Sequence, residues 1–449
     1  GDIQFSSTKG GVSMEGGALV ESGDGTITVD VAEDILISRM TSSSKMSLTS
    51  VGGGLIDGED AFRGDLILSD LEAAELDIET GGGVGDEVNW LEIEADKIGV
   101  TAGGAVYIKN NKSVTLKKII TTGDFSLISV NSNSSSGDAA ITSDIKTRGG
   151  SLKIKADGNL SFDSNGFVYT DNGSVELLAG MDGVSSAESG RLTMADGSGL
   201  DVGDGSITIK VSQNIILSKL ASSGQVEVES LMGSLLDGGD TGGVDLAAGK
   251  LIVKLPGGSF GNELDSLETK VADIILSSGK GVYFDDSLGA ANSGLIANVK
   301  GQSDLSVTYS GGVSLHSVIV EDGAIDITAA GKIRATTVVS SVDKDLNDIA
   351  LVSTGDGILV SNVNSGSNND VVLKAAGAIM EDGDNGTVII ADELHMNAGG
   401  AITVDTAVKT VHAATTGPGD ISVQDEGGVV LESVVVADGK INVQAGRGI

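Results

Sequence analysis

The chain has 449 residues, 67 of them glycine and only 2 proline, with aromatic residues at 3% and a formal charge of −36 from 64 acidic against 28 basic side chains. It has no cysteine, which excludes disulfides, thiolate metal sites and cysteine nucleophiles, and the scarcity of Trp and Tyr argues against tandem immunoglobulin-like sandwiches. Lys and Arg are nowhere clustered enough to track a nucleic acid backbone, and no run approaches the ~20 apolar residues of a membrane span.

The chain opens at Gly1-Asp2-Ile3-Gln4-Phe5, already in a strand-like pattern, so its ends read as cuts from a longer protein. Short alternating runs follow: Thr26-Ile27-Thr28-Val29, Met46-Ser47-Leu48-Thr49, Ser151-Leu152-Lys153-Ile154-Lys155 and Ile207-Thr208-Ile209. Apolar residues at every second position mark half-buried strands, and Gly, Asn, Asp and Ser punctuate them at intervals of roughly ten residues. No segment keeps a helical period.

Longer self-similarity selects among the all-β folds. Gly23-Asp24-Gly25-Thr26-Ile27-Thr28 returns as Gly203-Asp204-Gly205-Ser206-Ile207-Thr208, an offset of 180. Leu55-Ile56-Asp57-Gly58-Glu59-Asp60 matches Leu235-Leu236-Asp237-Gly238-Gly239-Asp240 at that offset, and Ile379-Met380-Glu381-Asp382-Gly383-Asp384 is a looser third copy. Gly311-Gly312-Val313-Ser314-Leu315 returns as Gly427-Gly428-Val429-Val430-Leu431 at an offset of 116. Unequal offsets carrying the same strand-turn unit suit a solenoid, in which turns can be added or lost without disturbing a closed sheet. The expected fold is therefore an all-β, right-handed parallel β-helix, continuous over 1–449 and built of divergent modules at approximately 1–180, 181–340 and 341–449. Two strands in each turn of roughly twenty residues would give on the order of twenty turns and roughly 100 Å at the ~4.8 Å strand spacing.

The chemistry-bearing motifs each have a plain turn or strand reading. Gly257-Gly258-Ser259-Phe260-Gly261 fits the nucleophile-elbow spacing but needs a strand-to-helix turn, a His and an acid in register; its counterpart, Gly82-Gly83-Val84-Gly85, has no serine. Arg63-Gly64-Asp65 is an adhesion-type tripeptide aligned with Gly243-Val244-Asp245, and Gly-Asp pairs mark turns throughout the chain. The Asp-Gly-x-Asp turns offer Asp57, Asp60, Asp237, Asp240, Asp382 and Asp384 as hard oxygen ligands for Ca²⁺, while turn chemistry alone also accounts for them. His316, His395 and His412 are far apart in sequence with no second His at ligand spacing, so metal binding through histidine is not expected; His316 aligns with Glu432 as a variable outward position.

The Gly-Ser-Ile-Thr-Ile type strand resembles the repeats of filamentous-haemagglutinin-like exoproteins and related giant repeat adhesins of Gram-negative bacteria. So do the step from Leu220 to Val226, the Leu-x-Asp-Gly-x-Asp turn, and the stretch from Gly82 through Leu91-Glu92-Ile93-Glu94 to Tyr107-Ile108, repeated between Gly257 and Phe284. The resemblance implies a right-handed β-helix secreted through an outer-membrane partner and displayed on the bacterial cell surface for adhesion, aggregation or competition.

The expected role is a non-catalytic structural or adhesive fibre segment. Its expected partners are other copies or neighbouring segments of the fibre and a receptor or glycan on a host or neighbouring cell, with neither nucleic acid nor membrane insertion involved. Two alternatives share the fold: a calcium-dependent matrix or surface protein, and a polysaccharide-degrading enzyme, for which the aromatics are few and dispersed.

Overall fold

The computed structural model describes residues 1–58, 69–130, 136–181, 190–239, 243–289, 293–344, 346–383, 386 and 388–449. Among the described residues there is no helix, and the chain forms a right-handed parallel β-solenoid of about 19 turns. It divides into two compact units, Gly1–Glu229 with Gly238–Asp240, and Ser230–Asp237 with Thr241–Ile449.

In the first unit one turn runs through Ile27–Val31, Ile35–Ile37 and Met40–Thr41. Met46, nineteen residues after Ile27, then pairs with it in parallel and opens the next turn. The second unit repeats the plan with Ile325–Ala329, Ile333–Ala335 and Val338–Ser340, and Ile349 returns to Ile325 after twenty-four residues. Turns such as these have three strands where the sequence predicts two, whereas Val282–Asp286 with Ser293–Gln302, and Leu305–Tyr309 with Val313–Asp322, make turns of the expected two. The third strand is commonly two or three residues long, too short for alternation to show.

Alternation decides what fills the interior. In the first unit Phe125, Leu152, Val175 and Ile207 stack turn upon turn, as do Leu127, Ile154, Leu177 and Ile209, all at most 1% exposed. Ile325, Ile349, Val371 and Leu394 form such a ladder in the second unit, where Phe260, Phe284 and Tyr309 also stack edge to face at 5.6 and 5.7 Å. Each buried aliphatic stabilises the fold by roughly 1.5–3 kcal/mol.

Corners explain the glycines. A Cβ on Gly150 would lie 2.2 Å from the Gly123 carbonyl, one on Gly173 2.0 Å from that of Gly150, and one on Gly205 2.2 Å from that of Gly173. This glycine column lets successive turns approach at one corner, and the hydroxyls of Thr121, Thr147 and Thr170 donate to the Gly123, Gly150 and Gly173 carbonyls there.

At another corner the chain bends without breaking the strand. In Leu91–Ala102, Asp96 and Lys97 both point outward and the alternation changes phase. The bend interrupts the pairing of Ala95 with the following turn, and the buried Asn110 amide meets both of its backbone groups, accepting from Ala95 N at 2.8 Å and donating to Ala95 O at 3.2 Å.

Candidate functional site

The strand Leu55–Asp57 turns Leu55 and Asp57 inward and Ile56 outward. Asp57 therefore stacks where the preceding turn carries Ile37, placing a carboxylate at the end of an aliphatic ladder. Asp70 precedes the strand Leu71–Thr80, and Glu92 lies beside it one turn on, since Leu71 pairs with Ile93. The backbone ties the latter two together: Asp70 N donates to Glu92 O at 2.7 Å, and Glu92 N to Asp70 Oδ2 at 3.1 Å. One carboxylate oxygen from each of Asp57, Asp70 and Glu92 lies within 4.8 Å of the other two, and the two aspartates are only 5% and 3% exposed.

The second unit repeats the backbone ties. Asp245 N donates to Glu268 O at 2.9 Å and Glu268 N to Asp245 Oδ2 at 2.9 Å, so Asp245 and Glu268 stand where Asp70 and Glu92 stand in the first unit. Asp237, the last residue of Leu235–Asp237, is the counterpart of Asp57. Asp245 is fully buried, its Oδ1 has no hydrogen bond, and its carboxyl is pushed up to about 8 by burial and by the charges of Asp237 and Glu268, against the Glu268 amide, which lowers it.

A third version is partial. Val388 N donates to Asp405 O at 3.1 Å, which puts Val388 in the place of Asp70 and leaves Glu381 and Asp405 as its acids. Burial, then the Asp405 charge, raises the Glu381 carboxyl.

These contacts revise several sequence expectations. Asp57 lies in a carboxylate cluster and the charge of Asp237 acts on Asp245, but these partners come from neighbouring turns and not from the Asp-Gly-x-Asp segment. Asp60, Asp240, Asp384 and the tripeptide Arg63-Gly64-Asp65 lie outside the described residues. Asp382 is outward and accepts the Ser361 hydroxyl, while its neighbour Glu381 takes the clustered position. Asp245 corresponds to Asp70, not to Asp65: between the last residue of the short strand and the acid opening the next, the first unit has five more residues, which displaces the constant-offset alignment. Asp70, Glu92, Asp245, Glu268 and Asp405 were missed; the repetition of Leu91-Glu92 as Leu267-Glu268 was the available signal.

The Lys109 ammonium lies 3.9 Å from Glu92 Oε1, so a basic side chain already meets part of the charge of the corner that Glu92 shares with Asp57 and Asp70. Oxygen-only donors of this kind suit a hard dication such as Ca²⁺, which takes six to eight oxygens at ~2.3–2.6 Å. Asp57, Asp70 and Glu92 would supply the carboxylate share of such a shell.

Other sequence motifs resolve differently. Ser259 sits at a solenoid corner, its hydroxyl 3.1 Å from that of Ser234, with no strand-to-helix turn around it. Phe167 and Tyr169 stack at 4.5 Å beside a surface groove of about 510 Å³, where Lys146 Nζ lies 5.2 Å from the Tyr169 ring centre, so both neighbours engage that ring. His395 and His412, remote in sequence, pair in register on adjacent turns. Comparisons with protein-family models, with curated proteins and with solved structures found no match.

Proposed function

We propose that this chain is a structural and adhesive segment of a large extracellular bacterial surface fibre, of the filamentous-haemagglutinin-like kind. The supporting observation is the run of aliphatic ladders through the interior of both units, which commits inward side chains to packing and leaves recognition to the outer face. Repeated turns with an acidic exterior suit a stalk or display scaffold whose contacts are made by outward residues and turn loops. The net charge of −36 also keeps such a chain soluble at high local density.

The test is adherence. Beads coated with the purified chain, presented to bacterial and animal cells and to a glycan array, should bind cells or a defined glycan class above a charge-matched control protein. Failure to bind any of these, or turnover of any offered glycan, overturns the reading.

A second reading, a calcium-stiffened matrix protein, is favoured by the cluster of Asp57, Asp70 and Glu92 and by the buried, charge-coupled Asp245. Millimolar Ca²⁺ should then raise the melting temperature and chelator reverse it, with Asp70→Asn and Asp245→Asn each removing part of the gain. An unchanged melting temperature rejects it.

A further inference from the structure

On the outer face of the second unit, His395 and His412 face each other across adjacent turns with ring centres 4.2 Å apart and planes within 9°. His395 Nε2 lies 3.2 Å from Glu393 Oε2, and His412 Nε2 lies 3.7 Å from the same oxygen and 3.4 Å from Glu432 Oε2. One ring nitrogen of each histidine and a Glu393 oxygen fall within 4.8 Å of one another.

Glu432 reaches this place through a register irregularity. Val411 pairs with Leu431 but His412 with Ser433, so Glu432 is an extra residue bulging beside His412. His316 occupies the equivalent bulge, between the Leu295–Leu315 and Ile296–Ser317 pairs, which bears out its alignment with Glu432.

We propose that His395, His412, Glu393 and Glu432 form a surface site for a late first-row divalent cation, of which Zn²⁺ is the representative. Bonds of ~2.0–2.2 Å in a tetrahedron place neighbouring donor atoms ~3.3–3.6 Å apart. The separations of 3.2, 3.4 and 3.7 Å bracket that edge length. His412 Nε2 is covered from solvent and makes no hydrogen bond, leaving a lone donor position directed among two carboxylates. Imidazole nitrogens select zinc, copper or nickel over calcium and magnesium, which separates this site from the oxygen-only cluster.

The surroundings favour a cation. Asp370 Oδ1 accepts from Glu393 N at 3.2 Å, adding a third carboxylate nearby, and the neighbouring Lys409 ammonium is engaged by Asp392 at 3.0 Å and by Ser367 O at 2.8 Å. Binding requires one movement. Nearly parallel rings aim their lone pairs side by side, so the imidazoles must tilt about Cβ–Cγ to converge on one ion. Both side chains are partly exposed, 39% and 24%, which leaves room for that tilt.

The test is titration of the purified full chain with Co²⁺, read by visible absorption, followed by competition with Zn²⁺. One equivalent should give the intense band of tetrahedral cobalt, and zinc should bleach it. Loss of stacking should shift the imidazole proton resonances of His395 and His412 but not those of His316. His395→Ala, His412→Ala, Glu393→Gln and Glu432→Gln should each weaken binding by at least the ~10-fold that loss of even an outer partner of a ligand costs. His316→Ala should bind like the parent, and unchanged β-type circular dichroism should show that every variant folds. No cobalt band, a weak octahedral spectrum, or binding by either histidine variant as tight as the parent's overturns the proposal.

Discussion

The Lys117 ammonium lies 2.6 Å from Asp77 Oδ1, reaching past an intervening turn to do so. Gly99 stands between them: it pairs with Asp77, and a Cβ there would sit 2.8 Å from Asp77 Oδ1 and 3.3 Å from Lys117 Cε. Lys117 also meets Glu75 at 2.9 Å, and Lys45 meets the same two acids from the turn below at 3.1 and 2.5 Å. Three turns are thereby tied by one charge network.

Lys117→Ala should lower stability by about 0.5–1 kcal/mol at neutral pH, the scale of a partly exposed network. Hydrogen bonds from Lys117 and Lys45 hold the Glu75 carboxyl below its usual 4.5; at Asp77 burial pushes upward, but the same two lysines outweigh it and the value falls below 3.8. Carboxylates depressed in this way contribute stability that is present above their unfolded values and lost as pH falls through the folded ones. The difference in melting temperature between parent and variant should be constant from pH 6 to 8 and close below about pH 4. A difference that persists in acid would show that Lys117 acts by packing alone.

Asp245 has the opposite linkage. Its folded value of about 8 lies above the ordinary 3.8, so its contribution is complete below pH 3.8 and is lost as pH rises towards 8. Without added cation, Asp245→Asn should match the parent near pH 3.5 and become progressively more stable than it up to about pH 8. The amide keeps an acceptor for Glu268 N without a buried charge, and Val388 shows that this position accommodates a neutral side chain. Thermal melts across that range decide it; a pH-independent difference would mean that Asp245 is ionised throughout.

Tyr309 is 1% exposed, and its hydroxyl has no hydrogen bond although the residue stacks on the buried Asp286 of the preceding turn. Burial, then the Asp286 charge, holds the phenol well above its usual value, so it stays protonated at ordinary pH. Tyr309→Phe should stabilise the second unit by about 1 kcal/mol, because it removes an unsatisfied polar group and keeps the edge-to-face contact with Phe284. Amide hydrogen exchange in the turns around residue 309 is the local readout, and faster exchange would reveal a hidden partner for the hydroxyl.

Asp286 shows the reverse case, a buried carboxylate whose oxygens are all used. Its Oδ2 accepts from Val271 N at 2.9 Å and Thr269 Oγ1 at 3.0 Å, and its Oδ1 from Leu288 N at 3.1 Å and Ser293 Oγ at 3.2 Å. Asp286→Ala should cost about 3 kcal/mol by stranding several donors. Asp286→Asn should cost less, since Asn110 closes the matching corner of the first unit with an amide. Equal melting temperatures for the two variants would show that the charge, and not the acceptor geometry, holds the corner.

The alternation of Ile207-Thr208-Ile209 and the returns of Gly-Asp-Gly were enough to identify an all-β parallel solenoid, because facing inward or outward is a property of consecutive residues. The same local logic located Asp57 and Asp237 as acids worth attention. It did not expose the third strand that turns such as Ile27–Thr41 carry, since pairs such as Met40-Thr41 are too short to show a period.

What the sequence alone determined is the cross-section's chemistry: aliphatic inside, acidic outside, glycine at the corners. Only the stacked structure decided which residues meet along the axis. Neighbours there are separated by one full turn, nineteen residues from Ile27 to Met46, twenty-four from Ile325 to Ile349 and seventeen from His395 to His412. Turn length varies with each corner loop while the hydrogen-bonded rise between strands stays near 4.8 Å. No fixed spacing in the chain could therefore announce that Asp57, Asp70 and Glu92 share a corner, or that two remote histidines stack.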